Sequence, residues 1–219
     1  ARSSLNFKNL GPGLLATPTF RGGDANHTQL LWNGLSINSL MLGTIDFSTI
    51  PMAQFSGVSI VTGNSMNLFS VGGLGGGVLL NQSADYNSNF IQLSQSLSSF
   101  ENYSQSIRVN QNFKLFKLPA SLSVNGDLQS LANRFPYINI SKEPYDTLLM
   151  QNAELTRRNI SPMLSFMPSK TINVSLIYWY NQTDRSIPSA INTSPTAAQQ
   201  QDLVHRTMAV IDAHPNKNI

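Results

Sequence analysis

Ile107-Arg108-Val109-Asn110-Gln111-Asn112-Phe113-Lys114-Leu115 decides the architecture of the second half of this chain. Ile107, Val109, Phe113 and Leu115 share one parity, while Arg108, Asn110, Asn112 and Lys114 share the other. Alternation with a period of two is the signature of a strand with one apolar and one polar face. The same pattern recurs on both sides. Ile91, Leu93 and Leu97 alternate with Gln92, Ser94, Ser96 and Ser98. Leu122, Val124 and Leu128 alternate with Ser121, Ser123, Asn125, Asp127 and Gln129. Ile172, Val174, Leu176, Tyr178 and Tyr180 alternate with Thr171, Asn173 and Ser175.

Working outward from these runs, six strands are predicted, at about 88–99, 103–115, 120–130, 149–167, 171–184 and 202–213. In the fourth, Glu154, Thr156 and Arg158 occupy the parity that Leu164 and Phe166 use later, which predicts a bulge near Pro162. The connections are unequal. Tight turns are expected at Phe100-Glu101-Asn102, Lys117-Leu118-Pro119 and Pro168-Ser169-Lys170. Long segments, about Leu131–Leu148 and Ser186–Gln200, carry Pro136, Pro144, Pro188 and Pro195. Short turns at one end and mostly long loops at the other is the pattern of outer-membrane barrels. Tyr178-Trp179-Tyr180, near the long-loop end, suits an interfacial aromatic girdle, although the aromatics by themselves favour the core of a soluble sandwich.

Composition points the same way. Charged residues make up 11% of the 219, against roughly 25% in soluble proteins. No apolar run is long enough for a membrane-spanning helix, so a spanning chain of this kind has to be a barrel. The formal net charge of +3 is too small to argue for nucleic acid. There is no cysteine, which removes disulfides and thiol chemistry.

The first eighty residues have another texture, with many glycines and short apolar runs. Thr28–Trp32, Val58–Val61 and Val78–Leu80 read as short buried strands. Asp46 is positioned to cap a single turn, Phe47–Ile50, that Pro51 ends, and Asn64 to cap another through Phe69. This predicts a small α+β domain over residues 1–82, followed over 83–219 by the antiparallel strands of an incomplete transmembrane β-barrel.

An ordered set of short motifs runs through this domain: Phe20-Arg21-Gly22-Gly23, Thr28-Gln29-Leu30-Leu31-Trp32-Asn33-Gly34, Thr44-Ile45-Asp46-Phe47-Ser48-Thr49-Ile50-Pro51, Val58-Ser59-Ile60-Val61-Thr62-Gly63, and Val71-Gly72-Gly73-Leu74-Gly75-Gly76-Gly77-Val78. In order and spacing it resembles the plug of TonB-dependent outer-membrane receptors. Arg21, Gly22, Asn33, Gly34, Gly63, Gly75 and Gly76 fall on the plug motif. Asn33, Ser59 and Thr62 stand where the family usually has Asp, Glu and Arg, which implies neutral hydrogen bonds in place of charges here, or a divergent subfamily. Leu31-Trp32-Asn33-Gly34 followed by Met41-Leu42-Gly43 resembles cobalamin-type receptors of the Bacteroidetes.

The resemblance implies energy-coupled uptake of a bulky, scarce nutrient (cobalamin, siderophore or glycan) across the outer membrane of a Gram-negative bacterium. The implied partners are the TonB energy-transducing complex, pulling on a segment before Ala1, the nutrient itself and outer-membrane lipid, with no nucleic acid and no cofactor. The ligand-facing plug apices would be Asp24, Asn26, His27, Asn38, Ser39, Met41 and Leu42. Loops 131–148 and 186–200 would be extracellular. Plugged transporters have about 22 strands, so six strands are expected to be part of a longer barrel.

No catalytic pattern competes. His27, His205 and His214 lack metal-ligand spacing. Gly72–Gly77 has no following Lys-Ser/Thr, and Glu143 with Asp146 reads as solvated loop acids. Arg157 and Arg158 are strand neighbours and point to opposite faces. Two other readings stay open: a passive outer-membrane porin, which would lack the plug pattern, and a soluble secreted β-sandwich that binds glycans.

Overall fold

The computed structural model describes residues 5–9, 11, 13–20, 25–39, 43–62, 76–141, 143–189 and 197–213. The chain divides into two units, Ala1–Ser83 and Ala84–Ile219.

In the first unit the apolar run Thr28–Trp32 is strand β3, following the hairpin β1 (Leu5–Asn9) and β2 (Ala16–Phe20). Leu30, Leu31 and Trp32 are all buried, as a central strand covered on both faces requires. It pairs antiparallel with the short β4 (Leu35–Ser36) and parallel with β6 (Gly76–Asn81), while β5 (Gly57–Thr62) closes the other edge of β6. The parallel pair demands a long crossover, which residues 33–75 supply. On the edge strand β5, Val58 and Ile60 are exposed.

Helical content among the described residues is three short 3-10 turns, at Ala25–His27, Phe47–Thr49 and Met52–Gln54, with no α-helix. The expected Asp46 cap is present: Asp46 Oδ1 accepts from the Ser48 backbone N–H at 2.9 Å, the Ser48 hydroxyl at 2.7 Å and the Ala16 N–H at 3.0 Å. That carboxylate therefore joins the turn to β2. Phe47, held by this cap, meets Phe7 edge-to-face at 5.3 Å. The turn expected to start at Asn64 lies outside the described residues.

The second unit is a six-stranded antiparallel sheet in the order β7 (Phe90–Ser98), β8 (Asn102–Leu115), β9 (Leu118–Leu131), β12 (Leu155–Ser169), β13 (Ile172–Ser186), β14 (Gln199–Ala213). The predicted alternation is realised. Val109 faces Val124 and Leu164 faces Leu122 and Leu176 on one face; Asn110 faces Ser123 and Ser165 faces Ser175 on the other. The apolar parity is the exposed one, with Leu176 at 54% and Ile211 at 71%. Asn110, Ser121, Asn125, Asn159, Ser161 and Ser175 on the polar parity are buried. Such an inverted sheet suits a membrane wall with a polar interior. Strands of 14 or 15 residues exceed the roughly 9–11 that cross the hydrocarbon, so their ends extend beyond it.

Three expectations are corrected. The segment 131–148 contains a hairpin of β10 (Pro136–Asn139) and β11 (Asp146–Leu149), so the fourth wall strand begins at Leu155 instead of about 149. The register shift in β12 lies between Phe166 and Ser169, not at Pro162, where pairing with Val124 continues unbroken. Pro162 lacks only an N–H, and β13 pairing resumes in the same register at Met163–Ile177. The parity conflict that suggested a bulge arises because Arg158 and Thr156 are outward residues above the apolar band. The turns at the short-turn end are Phe116-Lys117, where both residues have positive φ, and Lys170-Thr171, each one or two residues from the expected place.

Candidate functional site

Asn26 and His27 occupy an exposed 3-10 turn leading into β3. Asn38 and Ser39 come from the loop after β4. Asn38 brings the two segments together: its Nδ2 donates to the Thr28 carbonyl at 2.9 Å and to the Gly43 carbonyl at 2.8 Å, while Oδ1 accepts from Leu30 N–H at 2.8 Å. Ser39 closes the loop through Ser39 N–H to Thr44 O and Gly43 N–H to Ser39 O. The Asn38 amide thus shapes this end of the sheet, and the exposed groups beside it are Asn26, His27 and Ser39. Arg21, Gly22, Asp24, Met41, Leu42, Gly63 and Gly75 lie outside the described residues.

At the opposite end of β3, Asn33 and Gly34 both have positive φ, +44° and +88°. This is the two-residue turn that Asn-Gly favours. Asn33 also exchanges side-chain hydrogen bonds with the backbone of Gln82, and Trp32 Nε1 donates to Gln82 Oε1 at 3.3 Å. Gly76 starts β6 at φ +147°, where a Cβ would lie 2.8 Å from the Val61 carbonyl oxygen and 3.2 Å from the Phe20 ring. Only glycine fits there.

On the polar face of the wall, Arg157 Nη2 meets Asp127 Oδ2 at 2.9 Å with both side chains 11% exposed. Trp179, fully buried, donates from Nε1 to Asn159 Oδ1 at 2.8 Å and lies under the Arg206 guanidinium, 4.8 Å from the ring centre. Arg158 points the other way, 4.0 Å from Asp184, as the parity required.

The segment entering β7 is tied to this face at the short-turn end. Asn110 Nδ2 donates to the carbonyls of Asp85 at 2.8 Å and Ser88 at 2.6 Å, and Tyr86 donates its hydroxyl to Asn173 Oδ1 at 2.6 Å. The Ser88 hydroxyl, then the Asn87 N–H, hold the Asp85 carboxyl below its usual range. Burial pushes the Tyr86 hydroxyl up.

At the long-loop end a groove of about 350 Å³ is lined by Glu154, just ahead of β12, and by polar side chains of β12, β13 and β14, with Asp184, Arg185 and Gln200 among them. Sequence patterning missed it because it depends on register across three strands. Its side chains are held by one another. Gln201 and Gln182 donate to the two oxygens of Asp184 at 2.7 and 2.9 Å. Arg185 donates from Nη2 to Gln200 Oε1 at 2.8 Å, and Gln200 donates to Asp202 at 2.8 Å.

Residues 3–77 match the family model of the TonB-dependent Receptor Plug Domain. No curated protein matches the chain by sequence. Two solved structures resemble it in fold. The copper transporter OprC superposes with a TM-score of 0.65 and 12% identity, over 84% of this chain and 27% of its own. The siderophore receptor PirA from Acinetobacter baumannii superposes with a TM-score of 0.55 and 19% identity, over 82% of this chain and 28% of its own. The chain therefore spans little more than a quarter of the length of either. With the plug motifs in one unit and a two-faced antiparallel wall in the next, the chain carries a TonB-dependent receptor plug domain over residues 3–77, followed by antiparallel strands that resemble in fold part of those two structures.

Proposed function

We propose that this chain is part of a receptor that takes up a bulky, scarce nutrient across a Gram-negative outer membrane, driven through the TonB complex. The observation that carries this is the plug match at residues 3–77 joined to a wall whose apolar face is the exposed one. A passive porin accounts for the wall alone, and a soluble sandwich would turn its apolar face inward. The exposed loop groups Asn26, His27 and Ser39 fit a ligand recognised by shape and neutral hydrogen bonds. A cobalamin, a ferric siderophore or a glycan meets that description; the structures this chain resembles include a copper transporter and a siderophore receptor. Coupling requires that the ligand bind the resting and released plug unequally, since a ligand with equal affinity for both shifts nothing.

The test is uptake by cells expressing the full-length receptor, with labelled cobalamin, ferric siderophore and oligosaccharide. Uptake of one of them should stop when an uncoupler collapses the proton gradient and when the TonB gene is deleted. Uptake insensitive to both treatments would establish the porin reading instead.

A further inference from the structure

The connections at the long-loop end are the tight turn between β7 and β8, residues 132–154 between β9 and β12, and the link between β13 and β14, whose neck is Ile187 and Ala198. Surface connections are ordinarily the mobile parts of a sheet. Here each is bonded to the next. Phe100 of the tight turn meets Phe135 edge-to-face at 6.1 Å, and Asn133 N–H donates to Asn102 Oδ1 at 3.1 Å. Asn133 Nδ2 donates across its own connection to the Ala153 carbonyl at 2.8 Å. From the adjacent residue, Asn152 Nδ2 donates to the Ile187 carbonyl at 2.7 Å and to the Ala198 carbonyl at 3.4 Å. Ile187 N–H donates to the same Ala198 carbonyl at 2.9 Å. Asn152 therefore holds both sides of a neck that belongs to another connection, 35 and 46 residues further along the chain. Beside it, Ser186 N–H donates to the Glu154 carbonyl at 2.8 Å.

The two asparagines share a backbone state as well as a task. Their φ angles are +54° at Asn133 and +55° at Asn152. Glycine, Asn and Asp are the residues that enter this left-handed region most readily. Glycine has no side chain, and a carboxylate has no donor to offer a carbonyl. Asparagine meets both demands, so backbone and side chain dictate the same residue type at each position. Asn133 and Ala153 are 1% and 2% exposed, so their bond is shielded from competing water, and losing it leaves a buried carbonyl without its amide. The Asn152 link is more open to solvent but acts on two carbonyls at once.

We propose that Asn133 and Asn152 couple the connections at this end into one body, so that a shift imposed on the β9–β12 connection is passed to the neck between β13 and β14. Such coupling is reciprocal, and whatever tightens Ile187 and Ala198 also tightens Ala153. That a bound nutrient supplies the shift rests on the uptake reading above; the linkage itself does not.

Hydrogen exchange at the Ile187 amide of the full-length receptor, measured without any nutrient, tests the coupling. Asn152→Gly should raise the exchange rate there roughly two- to tenfold, the effect of losing a net hydrogen bond. Glycine keeps the backbone conformation, so a wild-type rate would mean that Asn152 serves the turn alone and would overturn the proposal. Asn152→Asp, which keeps the side chain's length and loses its donor, should give a similar rise. The decisive variant is Asn133→Gly, at a residue whose hydrogen bonds go to Asn102 and Ala153. It should also raise exchange at Ile187, and the double variant Asn133→Gly/Asn152→Gly should raise it by less than the product of the two single rises, as coupled positions do. Exchange at Ile187 unmoved by Asn133→Gly, or a double variant equal to that product, would overturn the proposal. The heat-modifiable gel shift checks that each variant folds. If Asn133→Gly does not, Asn102→Ala, which removes the acceptor of the Asn133 N–H, replaces it with the same two outcomes. Because no nutrient enters the measurement, failure of the uptake reading leaves its result standing.

Discussion

Asn33 and Gln82 clasp one another: Asn33 Nδ2 donates to the Gln82 carbonyl at 3.0 Å, and the Gln82 N–H donates to Asn33 Oδ1 at 2.7 Å. With Asn33 N–H bonded to Leu80 O at 2.9 Å, this continues the pairing of β3 with β6 past its last ladder partner. An amide can do this because it carries both a donor and an acceptor, whereas a carboxylate carries acceptors alone.

Asn33→Asp, the residue the family usually has here, should therefore weaken this end of the plug at neutral pH. The Gln82 carbonyl would face a carboxylate oxygen, a loss of roughly 1–3 kcal/mol. Protonation restores a donor, so the defect should recede as pH falls below about 4. Hydrogen exchange over residues 76–83 reads both effects. Exchange equal to wild type at pH 7 would show that the donor half of the clasp contributes nothing.

Gly76→Ala should destabilise the first unit by about 2–5 kcal/mol, combining backbone strain with overpacking against the Val61 carbonyl and Phe20. Gly57→Ala is the control. The nearest atom to its Cβ, Asn81 Cβ, is 4.0 Å away, and the change should stay within about 1 kcal/mol. Denaturant unfolding compares the two, and similar midpoints would contradict the contact geometry.

Leu176→Arg should block assembly into the membrane, because an outward Arg near the midplane costs about 2–4 kcal/mol. Gln105→Arg should be tolerated, since it lies near the long-loop end of β8, where the cost falls to about 0–1 kcal/mol. The heat-modifiable gel shift of the full-length receptor reports assembly. Equal folded fractions would place Leu176 away from lipid.

Most of the wall was legible in the sequence, because a period of two needs no knowledge of neighbours. Ile172, Val174 and Leu176 announce a face by themselves. The Asp46 cap was legible for the same reason, since its partner Ser48 is two residues away. What stayed hidden was non-local or chemically ambiguous. Phe116 and Lys117 form a positive-φ turn without Gly or Asn, so the tight turn was expected a residue later, at Lys117-Leu118-Pro119. The β10–β11 hairpin lay inside a Pro-containing stretch that read as a loop. The bracketing of Thr28, Leu30 and Gly43 by the Asn38 amide was not legible either, because it joins two separate segments. The polar groove at the long-loop end needed the register of three strands, which no single strand contains.

The segment entering the wall supplies the last prediction. Asn110 holds the carbonyls of Asp85 and Ser88, Ser121 donates to Asn110 Oδ1 at 3.1 Å, and Asn112 Nδ2 donates to the Ser88 carbonyl at 3.0 Å. Within the turn itself, the Asp85 carboxylate accepts from Ser88 and from the Asn87 N–H at 2.8 Å. These contacts favour the ionised carboxylate, so its folded value is lowered. The turn's contribution is then fully present above the unfolded value of about 3.9 and is lost as pH falls through the lower folded value. Asn110→Ala should loosen residues 84–89 at every pH, by the roughly 0.5–1.5 kcal/mol of each lost hydrogen bond, because Asn112 and Ser121 still reach the Ser88 and Asp85 carbonyls. Asp85→Asn should leave the segment ordered at pH 7, because an amide oxygen still accepts, and should remove its acid sensitivity. Hydrogen exchange and limited proteolysis at 84–89, measured between pH 7 and pH 3, separate the two variants. An Asp85→Asn protein that still loosens in acid would assign the sensitivity to another group.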